Sequence, residues 1–117
     1  MALGVGIGVL STGSVKDSLE GLGDAFLKKS FTDWERSRAK EQPLPLDYYS
    51  RLFSAKEAIL HLFEGSSGLL PTEIEIRDGR FGQPEPHLTG KIKRIMEYRG
   101  ASRISLSVSY ENGFAVA

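Results

Sequence analysis

Apolar residues recur at helical spacing over Tyr48–Phe63, and this amphipathic segment organises the rest of the chain. At about 100° per residue its apolar side chains form one stripe: Tyr49, Leu52, Phe53, Ile59, Leu60 and Phe63. Lys56 projects from the middle of the stripe, and Glu57 and His61 stand one turn apart along its margin. Two interpretations stay open. Either these three residues carry function, or they do not. In the second case the aliphatic part of the Lys56 side chain is buried with its ammonium in solvent, and Glu57 and His61 are ordinary surface residues.

Before this segment, the pattern predicts one strand and a helix. Leu3–Leu10 alternates glycine with aliphatic residues and predicts a strand in which glycines allow close backbone approach or a bend. Its glycines do not match a dinucleotide-binding loop, because too few residues precede them to form the required strand. A polar turn is expected at Ser11–Ser14. A helix follows, with these residues inward: Val15, Leu19, Leu22 and Phe26.

Local signals then frame the central helix. Thr32–Glu35 is a capping box, and it predicts a short charged helix that ends at about Glu41. Pro43 and Pro45 stop this helix and predict an extended link. Asp47 is expected to cap the central helix. Beyond that helix lies a loop rich in glycine and serine: Gly65, Ser66, Ser67 and Gly68. This loop either binds phosphate or only ends the helix and connects it to the next element.

The rest of the chain predicts an antiparallel meander interrupted by a helix. Alternation predicts strands, Asp78-Gly79 signals a hairpin turn, and the last strand only begins before the sequence stops. The segments are the strand Glu73–Arg77, the return Arg80–Pro84, the helix Thr89–Arg99, the strand Arg103–Tyr110, a turn at 111–113 and the strand Phe114–Ala117. The fold class is therefore α+β in a single domain over residues 1–117.

Composition narrows the function classes. Fifteen basic and fifteen acidic residues cancel, which argues against non-specific nucleic-acid binding. The absence of cysteine excludes disulfides, thiolate metal sites and a cysteine nucleophile. The apolar Met1–Leu10 has no basic residue before it and is too short to span a bilayer. We therefore expect a soluble, cytoplasmic protein without a membrane or nucleic-acid partner.

Five motifs in register resemble the holo-acyl-carrier-protein synthases, the small 4′-phosphopantetheinyl transferases. The most diagnostic is Phe53-Ser54-Ala55-Lys56-Glu57-Ala58 on the central helix. The others are Phe31-Thr32 with Glu35, Gly82-Gln83-Pro84, Leu88-Thr89-Gly90-Lys91 and Phe114-Ala115-Val116-Ala117. The resemblance implies a long central helix packed on a curved, mostly antiparallel sheet, and it covers the whole chain. It also implies a homotrimer with active sites at the subunit interfaces.

The resemblance further implies an activity and a set of site residues. The family moves phosphopantetheine from coenzyme A onto a serine of an acyl carrier protein, with a magnesium ion bridging the pyrophosphate. Glu57 matches the family's metal-binding glutamate, and Lys56 the lysine beside it. The predicted catalytic residues are Glu57, Lys56 and His61. The residues expected to contact coenzyme A are Gly65, Ser66, Ser67, Gly82, Ser109 and Tyr110.

This chain departs from the family at three site positions. Gly8 stands where the first strand should carry a second metal carboxylate, His61 stands where the family has a catalytic lysine, and Tyr110 closes a motif that should end in histidine. The basic residues that meet the acidic carrier protein after the first strand are reduced to Lys16. Losing one general acid or base costs roughly 10²–10⁴-fold in rate, so we expect a very slow enzyme at best.

Several functional interpretations follow. Glu57 alone is able to hold magnesium weakly once the substrate phosphates are bound. His61 is either an exposed histidine, a proton carrier, or with Glu57 a ligand for a softer divalent metal. The protein is a transferase with impaired or altered chemistry, or an inactive homologue that binds a carrier protein or coenzyme A as a trimeric module. A third interpretation is an unrelated α+β assembly module.

Overall fold

The computed structural model describes residues 4–101 and 103–117. Within these residues the chain forms five α-helices, a 3₁₀ turn and five short strands. In order they are β1 Val9–Ser11, α1 Thr12–Leu22, α2 Asp24–Ser30, α3 Asp33–Ala39, α4 Pro45–His61, the 3₁₀ turn Pro71–Glu73, β2 Ile74–Asp78, β3 Pro84–Leu88, α5 Gly90–Tyr98, β4 Ser109–Glu111 and β5 Phe114–Val116. The α+β class predicted from the sequence is therefore confirmed.

The strands form two antiparallel sheets, and the first of them joins the strand at the start of the chain to the two strands at its end. In the first, β5 lies between β1 and β4, so that Ala115 pairs with both Leu10 and Tyr110. In the second, β2 and β3 form a hairpin in which Ile76 pairs with Pro86. Helix α4 contacts both sheets as well as α1 and α3. The longest helix is thus the element on which the others are assembled.

The core is built on the apolar stripe of α4, as its periodicity predicts. Tyr49, Leu52, Ile59 and Phe63 are buried, while Phe53 and Leu60 are partly buried against the same cluster. Phe31 is fully buried, and its ring centroid lies 4.6 Å from that of Tyr49. Burying a large apolar side chain contributes about 1.5–3 kcal/mol, so this cluster is the main apolar source of stability.

The first elements differ from the expected boundaries. The strand predicted at Leu3–Leu10 is limited to Val9–Ser11, and its first predicted residue lies outside the described residues. The turn predicted at Ser11–Ser14 is wrong, because Ser11 caps α1 and its Oγ accepts a hydrogen bond from the Ser14 amide at 3.1 Å. The single helix predicted from Val15 to Phe26 is broken at Gly23, whose φ of 60° interrupts the helical backbone.

For the segment before the central helix, the structure confirms the predicted capping box but contradicts the predictions for Pro45 and Asp47. The capping box is confirmed, since the Glu35 amide donates to Thr32 Oγ1 and the Thr32 amide donates to Glu35 Oε1. Pro45 does not extend the link but occupies the first turn of α4, where its missing N–H costs no helical hydrogen bond. Asp47 does not cap the helix either; the cap position is Leu44, and the Asp47 carboxylate accepts from a distant tyrosine.

The late strand is shorter than its alternation predicts. Only Ser109–Glu111 is paired, and residues 103–108 form no strand in the single chain. The alternation itself is kept: Ile104, Leu106 and Val108 are partly buried while Ser105 and Ser107 are exposed. The return strand begins at Pro84 rather than Arg80. None of the described helices has the length and apolar character to cross a membrane.

Candidate functional site

Glu57 and His61 occupy the margin of α4, near its C-terminal end. Glu57 is half-buried and His61 is exposed. Partial burial raises the pKa of the Glu57 carboxyl above its ordinary value, and His61 nearby opposes part of this rise. The Nδ1 atom of His61 lies 2.6 Å from the Ile7 carbonyl oxygen. Because a carbonyl can only accept, Nδ1 carries the proton, and in the neutral ring Nε2 keeps a free lone pair.

Beside Glu57, the first segment of the chain packs on the backbone of α4. A Cβ atom added to Gly8 would lie 2.2 Å from the Ser54 carbonyl oxygen and 3.1 Å from Glu57 Cβ. A Cβ added to Gly6 would lie 1.9 Å from the Ala58 carbonyl oxygen. Neither glycine has a positive φ, so close approach and not backbone conformation explains them. This confirms the close backbone approach that the glycine pattern predicts.

Lys56 faces the interior and not the margin that carries Glu57. Its side chain is 1% exposed. The ammonium donates to Glu35 Oε1 at 2.6 Å and to the carbonyl oxygens of Ser30 and Pro71 at 2.9 and 3.1 Å. Burial lowers the pKa of Lys56, an effect that the Glu35 carboxylate opposes. All three N–H groups are thus used by the protein. Its catalytic role stays a prediction, while its contacts are structural.

Glu35 is the residue that sequence reasoning assigned only a capping role. Its Oε1 accepts from the Thr32 amide as well as from Lys56, and its Oε2 accepts from the Ile76 amide at 2.8 Å. One buried carboxylate therefore joins α3, α4 and β2. The capping box pointed to Glu35, but its partner lies 21 residues away and no local pattern connects the two.

The glycine-serine loop after α4 is held by α5. The Lys91 ammonium donates to the Ser67 carbonyl oxygen, and the Arg99 guanidinium donates to that of Leu62. Gly65 and Gly68 adopt φ values of 92° and 74°, which the lack of a side chain makes accessible. Gly65 and Ser67 are exposed and Ser66 is half-buried. The loop expected to contact coenzyme A is thus anchored at Ser67, and the end of α4 that leads into it is anchored at Leu62.

Tyr110 lies at the other end of α4. Its hydroxyl donates to Asp47 Oδ1 at 2.9 Å, and it shares a 2.7 Å hydrogen bond with the Thr12 hydroxyl. Asp47 precedes Glu57 by ten residues, or about 15 Å along a helix axis. Within one chain the structure therefore brings Gly8, Glu57 and His61 together but holds Tyr110 apart from them. Ser109 is exposed on β4 beside it, and Gly82 is exposed in the turn between β2 and β3.

A cleft of about 850 Å³ opens beside the contact between the first segment of the chain and α4. The first segment, the second half of α4 and the stretch after α5 form its walls. Its lining is largely apolar, with two arginines: Gly6, Ala58, Leu62, Met96, Leu106, Arg99 and Arg103. Its size is in the range of small-molecule sites.

The residues present do not fit a resident magnesium ion. Magnesium prefers oxygen ligands such as carboxylates. Where the first segment contacts α4, the carboxylate next to Gly8 is that of Glu57. Among residues 4–101 and 103–117, no three histidine, cysteine, aspartate or glutamate side chains form a group able to hold a metal. The position expected to supply a second carboxylate is Gly8, and the backbone of α4 occupies the space that a Cβ atom at this position would need.

Comparison with known proteins identifies the family. The model of the 4′-phosphopantetheinyl transferase superfamily matches residues 4–117. The chain belongs to this superfamily, as the sequence motifs predicted, and the interpretation as an unrelated assembly module is wrong. It is similar to the holo-[acyl-carrier-protein] synthase of Desulforudis audaxviator, with 34% identity over all of this chain and 90% of that protein. The corresponding protein of Halothermothrix orenii is 30% identical, over all of this chain and 94% of its own length.

Solved structures confirm the fold. The holo-[acyl-carrier-protein] synthase of Neisseria meningitidis superimposes with a TM-score of 0.90 at 26% identity, covering 99% of this chain and 94% of that one. The acyl carrier protein synthase of Plasmodium yoelii with ADP bound gives a TM-score of 0.86 at 32% identity, covering 99% and 90%. The short sheets and the long helix thus follow the family architecture.

Proposed function

We propose that the protein transfers 4′-phosphopantetheine from coenzyme A to a serine of an acyl carrier protein, at a much reduced rate. The observation that carries this proposal is the family match over residues 4–117, together with Glu57 at the family position on α4. The relatives named holo-[acyl-carrier-protein] synthase align with the whole chain, so the entire scaffold supports the assignment.

In the proposed reaction the carrier serine oxygen attacks the β-phosphorus of coenzyme A. The phosphoanhydride bond breaks, and adenosine 3′,5′-bisphosphate leaves with the electron pair. Glu57, whose pKa is raised by partial burial, accepts the serine proton. His61 keeps Nε2 available as a second proton carrier. Lys56 fixes the rotation of α4 from the buried side.

Coenzyme A is proposed to lie against the loop after α4 and the cleft beside it. The loop offers the backbone amides of Gly65 and Ser67 and the hydroxyl of Ser66, whose own amide donates to the Phe63 carbonyl oxygen. The cleft combines an apolar lining with the cations of Arg99 and Arg103. That combination suits a ligand with an apolar arm and phosphate groups. Gly82, Ser109 and Tyr110 are proposed to reach the ligand from a neighbouring subunit, because the single chain keeps Tyr110 apart from Glu57.

The proposed homotrimer rests on an exposed apolar face of the first sheet. Val5, Ile7 and Val9 alternate along the first segment and are 83%, 61% and 56% exposed. Val116, the cross-strand partner of Val9, and Phe114 continue this face on β5. A contiguous apolar face is typical of a subunit interface. Val116→Asp is expected to yield monomers in light scattering, whereas Leu22→Asp, on an exposed apolar residue of α1, is expected to leave the assembly intact.

The carrier protein is proposed to dock on α5. Lys16 stands among Asp17 and Glu20 on α1, so this helix offers no basic face to an acidic partner. Basic residues instead gather on and after α5, with Glu97 as the acidic exception between residues 91 and 103: Lys91, Lys93, Arg94, Arg99 and Arg103. Within the described part of the chain none of these five forms an ion pair. Arg99 and Arg103 line the cleft proposed for coenzyme A, so the three residues on α5 itself supply the charge proposed for the carrier protein.

Charge reversal tests this docking face. Lys93→Glu with Arg94→Glu, on two exposed residues of α5, is expected to weaken binding of an acyl carrier protein by about tenfold or more, with the loss reduced at high salt. Lys28→Glu with Lys29→Glu at the end of α2 removes the same charge elsewhere and serves as the matched control. Weakening by the α2 pair alone would place the carrier near α1 and α2 and contradict the proposal.

A second candidate is an inactive homologue that binds coenzyme A or a carrier protein without turnover. The commitment of the Tyr110 hydroxyl to Asp47 and the closure of Gly8 onto α4 favour it. Intact-mass analysis of an apo acyl carrier protein incubated with coenzyme A separates the two. A mass gain of one phosphopantetheine, abolished in Glu57→Gln, supports the transferase. An unchanged mass together with measurable binding of either substrate supports the inactive homologue. The cytoplasmic location stays a prediction.

A further inference from the structure

The contact between the first segment and α4 is closed at the point where a second metal carboxylate would have to stand. Real Cβ atoms essentially never approach another atom closer than 3.0 Å, and an added Cβ on Gly8 would meet the Ser54 carbonyl oxygen at 2.2 Å. The opposing atoms belong to helix backbone, which cannot rotate aside as a flexible side chain can. An aspartate at this position therefore requires the segment and the helix to separate.

The segment is also held in place from its other side. The Gly8 amide donates to the Ala117 carbonyl oxygen at 2.9 Å, and the Ala117 amide donates back at 2.8 Å. This pair continues the ladder between β1 and β5. One turn of α4 further on, the His61 Nδ1–H donates to the Ile7 carbonyl oxygen. Moving the segment outward to make room for a Cβ would break or stretch these hydrogen bonds.

The remaining donors at this point do not replace the lost carboxylate. Glu57 is a single half-buried carboxylate, and the residue that faces it from the first segment is Gly8, which has no side chain to add a second one. The His61 nitrogen that faces the segment is already used by Ile7. A nitrogen ligand would in any case disfavour magnesium, which selects oxygen.

We propose that this chain binds coenzyme A without a divalent cation, because the first segment has closed onto α4 where the metal site would lie. This inference rests on the proposed function for its ligand. The phosphate charge is then met by backbone amides and basic side chains alone, which is a sufficient chemistry for binding phosphates.

Calorimetric titration of coenzyme A into the protein tests the inference in three buffers: EDTA, magnesium and manganese. The expected result is a dissociation constant that agrees within about twofold across them. Affinity that is about tenfold or more tighter with a metal, and that loses this gain in Glu57→Gln, would overturn the inference. An absence of coenzyme A binding in every buffer would instead overturn the proposed function and so remain distinguishable.

Two variants test the closed contact separately from the ligand. Gly8→Asp is expected to lower the thermal midpoint and to leave magnesium without effect on it, because the carboxylate cannot enter the space beside Glu57. Gly21→Ala, on a glycine of α1 whose added Cβ meets nothing within 4 Å, is the matched control and should not lower the midpoint. A Gly8→Asp protein with an unchanged midpoint and a magnesium-dependent gain in coenzyme A affinity would show that the segment opens readily, and would refute the closure.

Discussion

The buried ion pair between Lys56 and Glu35 allows a quantitative prediction about the central helix. Both side chains are at most 1% exposed, and the Nζ to Oε1 distance is 2.6 Å. Lys56→Met keeps a side chain of comparable length and removes the charge and its three hydrogen bonds. The Glu35 carboxylate then keeps only the amides of Thr32 and Ile76 as donors. An isolated buried carboxylate is left without a cation.

The magnitude follows from the cost of breaking one side of a buried pair. Such substitutions destabilise proteins by about 3–5 kcal/mol, out of a total stability of about 5–15 kcal/mol for a domain. At about 4 °C per kcal/mol for a chain of this size, the thermal midpoint should fall by about 12–20 °C. Lys56→Met is therefore expected to fold at room temperature with a much reduced margin.

Urea denaturation of three variants measures this effect. Lys56→Met should lose about 3–5 kcal/mol. The double variant with Glu35→Gln should recover part of the loss, because the uncompensated charge is gone. Arg38→Met removes a partner of Asp78 from an exposed pair and should cost little, because solvent screens exposed ion pairs. A loss in Lys56→Met as small as that of Arg38→Met would refute the reasoning and return Lys56 to the candidate catalytic groups.

Two further predictions concern hydrogen bonds that join distant segments. Burial alone would raise the pKa of Glu75, but the Thr32 hydroxyl and the Arg77 guanidinium together lower it. The stabilisation from this carboxylate is present above its unfolded pKa of about 4.3 and is lost as the pH falls through its folded value. Glu75→Gln should therefore destabilise the protein to urea at pH 7 and show little difference from wild type near pH 3; equal losses at both pH values would argue against this linkage. Tyr110→Phe removes a hydrogen bond to Asp47 and should cost about 1 kcal/mol in the same assay, and a variant as stable as wild type would show that solvent replaces the hydroxyl.

Much of the fold was set by local signals that a sequence can display. The apolar stripe of α4 and the capping box at Thr32 depend on residues at most a few turns apart, and each was found where the pattern placed it. The hairpin signalled by Asp78-Gly79 also forms, but Asp78 is still paired in β2 and the turn spans residues 79–83. Boundaries were less well predicted, because they depend on competition between neighbours. Ser11 carries the hydroxyl of a turn residue, yet it caps a helix since Thr12–Leu22 is helical behind it.

The candidate site, in contrast to the fold, depends mainly on contacts between residues that are far apart in the sequence. The sequence by itself determined that Glu57 and His61 share one margin of a helix, and that glycines in the first segment imply close approach. Only the tertiary structure decided what they approach, since the contact between Gly8 and Ser54 spans 46 residues and no periodicity encodes it. The same holds for Lys56, whose position in the stripe suggested either function or snorkelling. Its partner Glu35 stands on another helix, and a buried charge is stable only when folding brings such a partner to it.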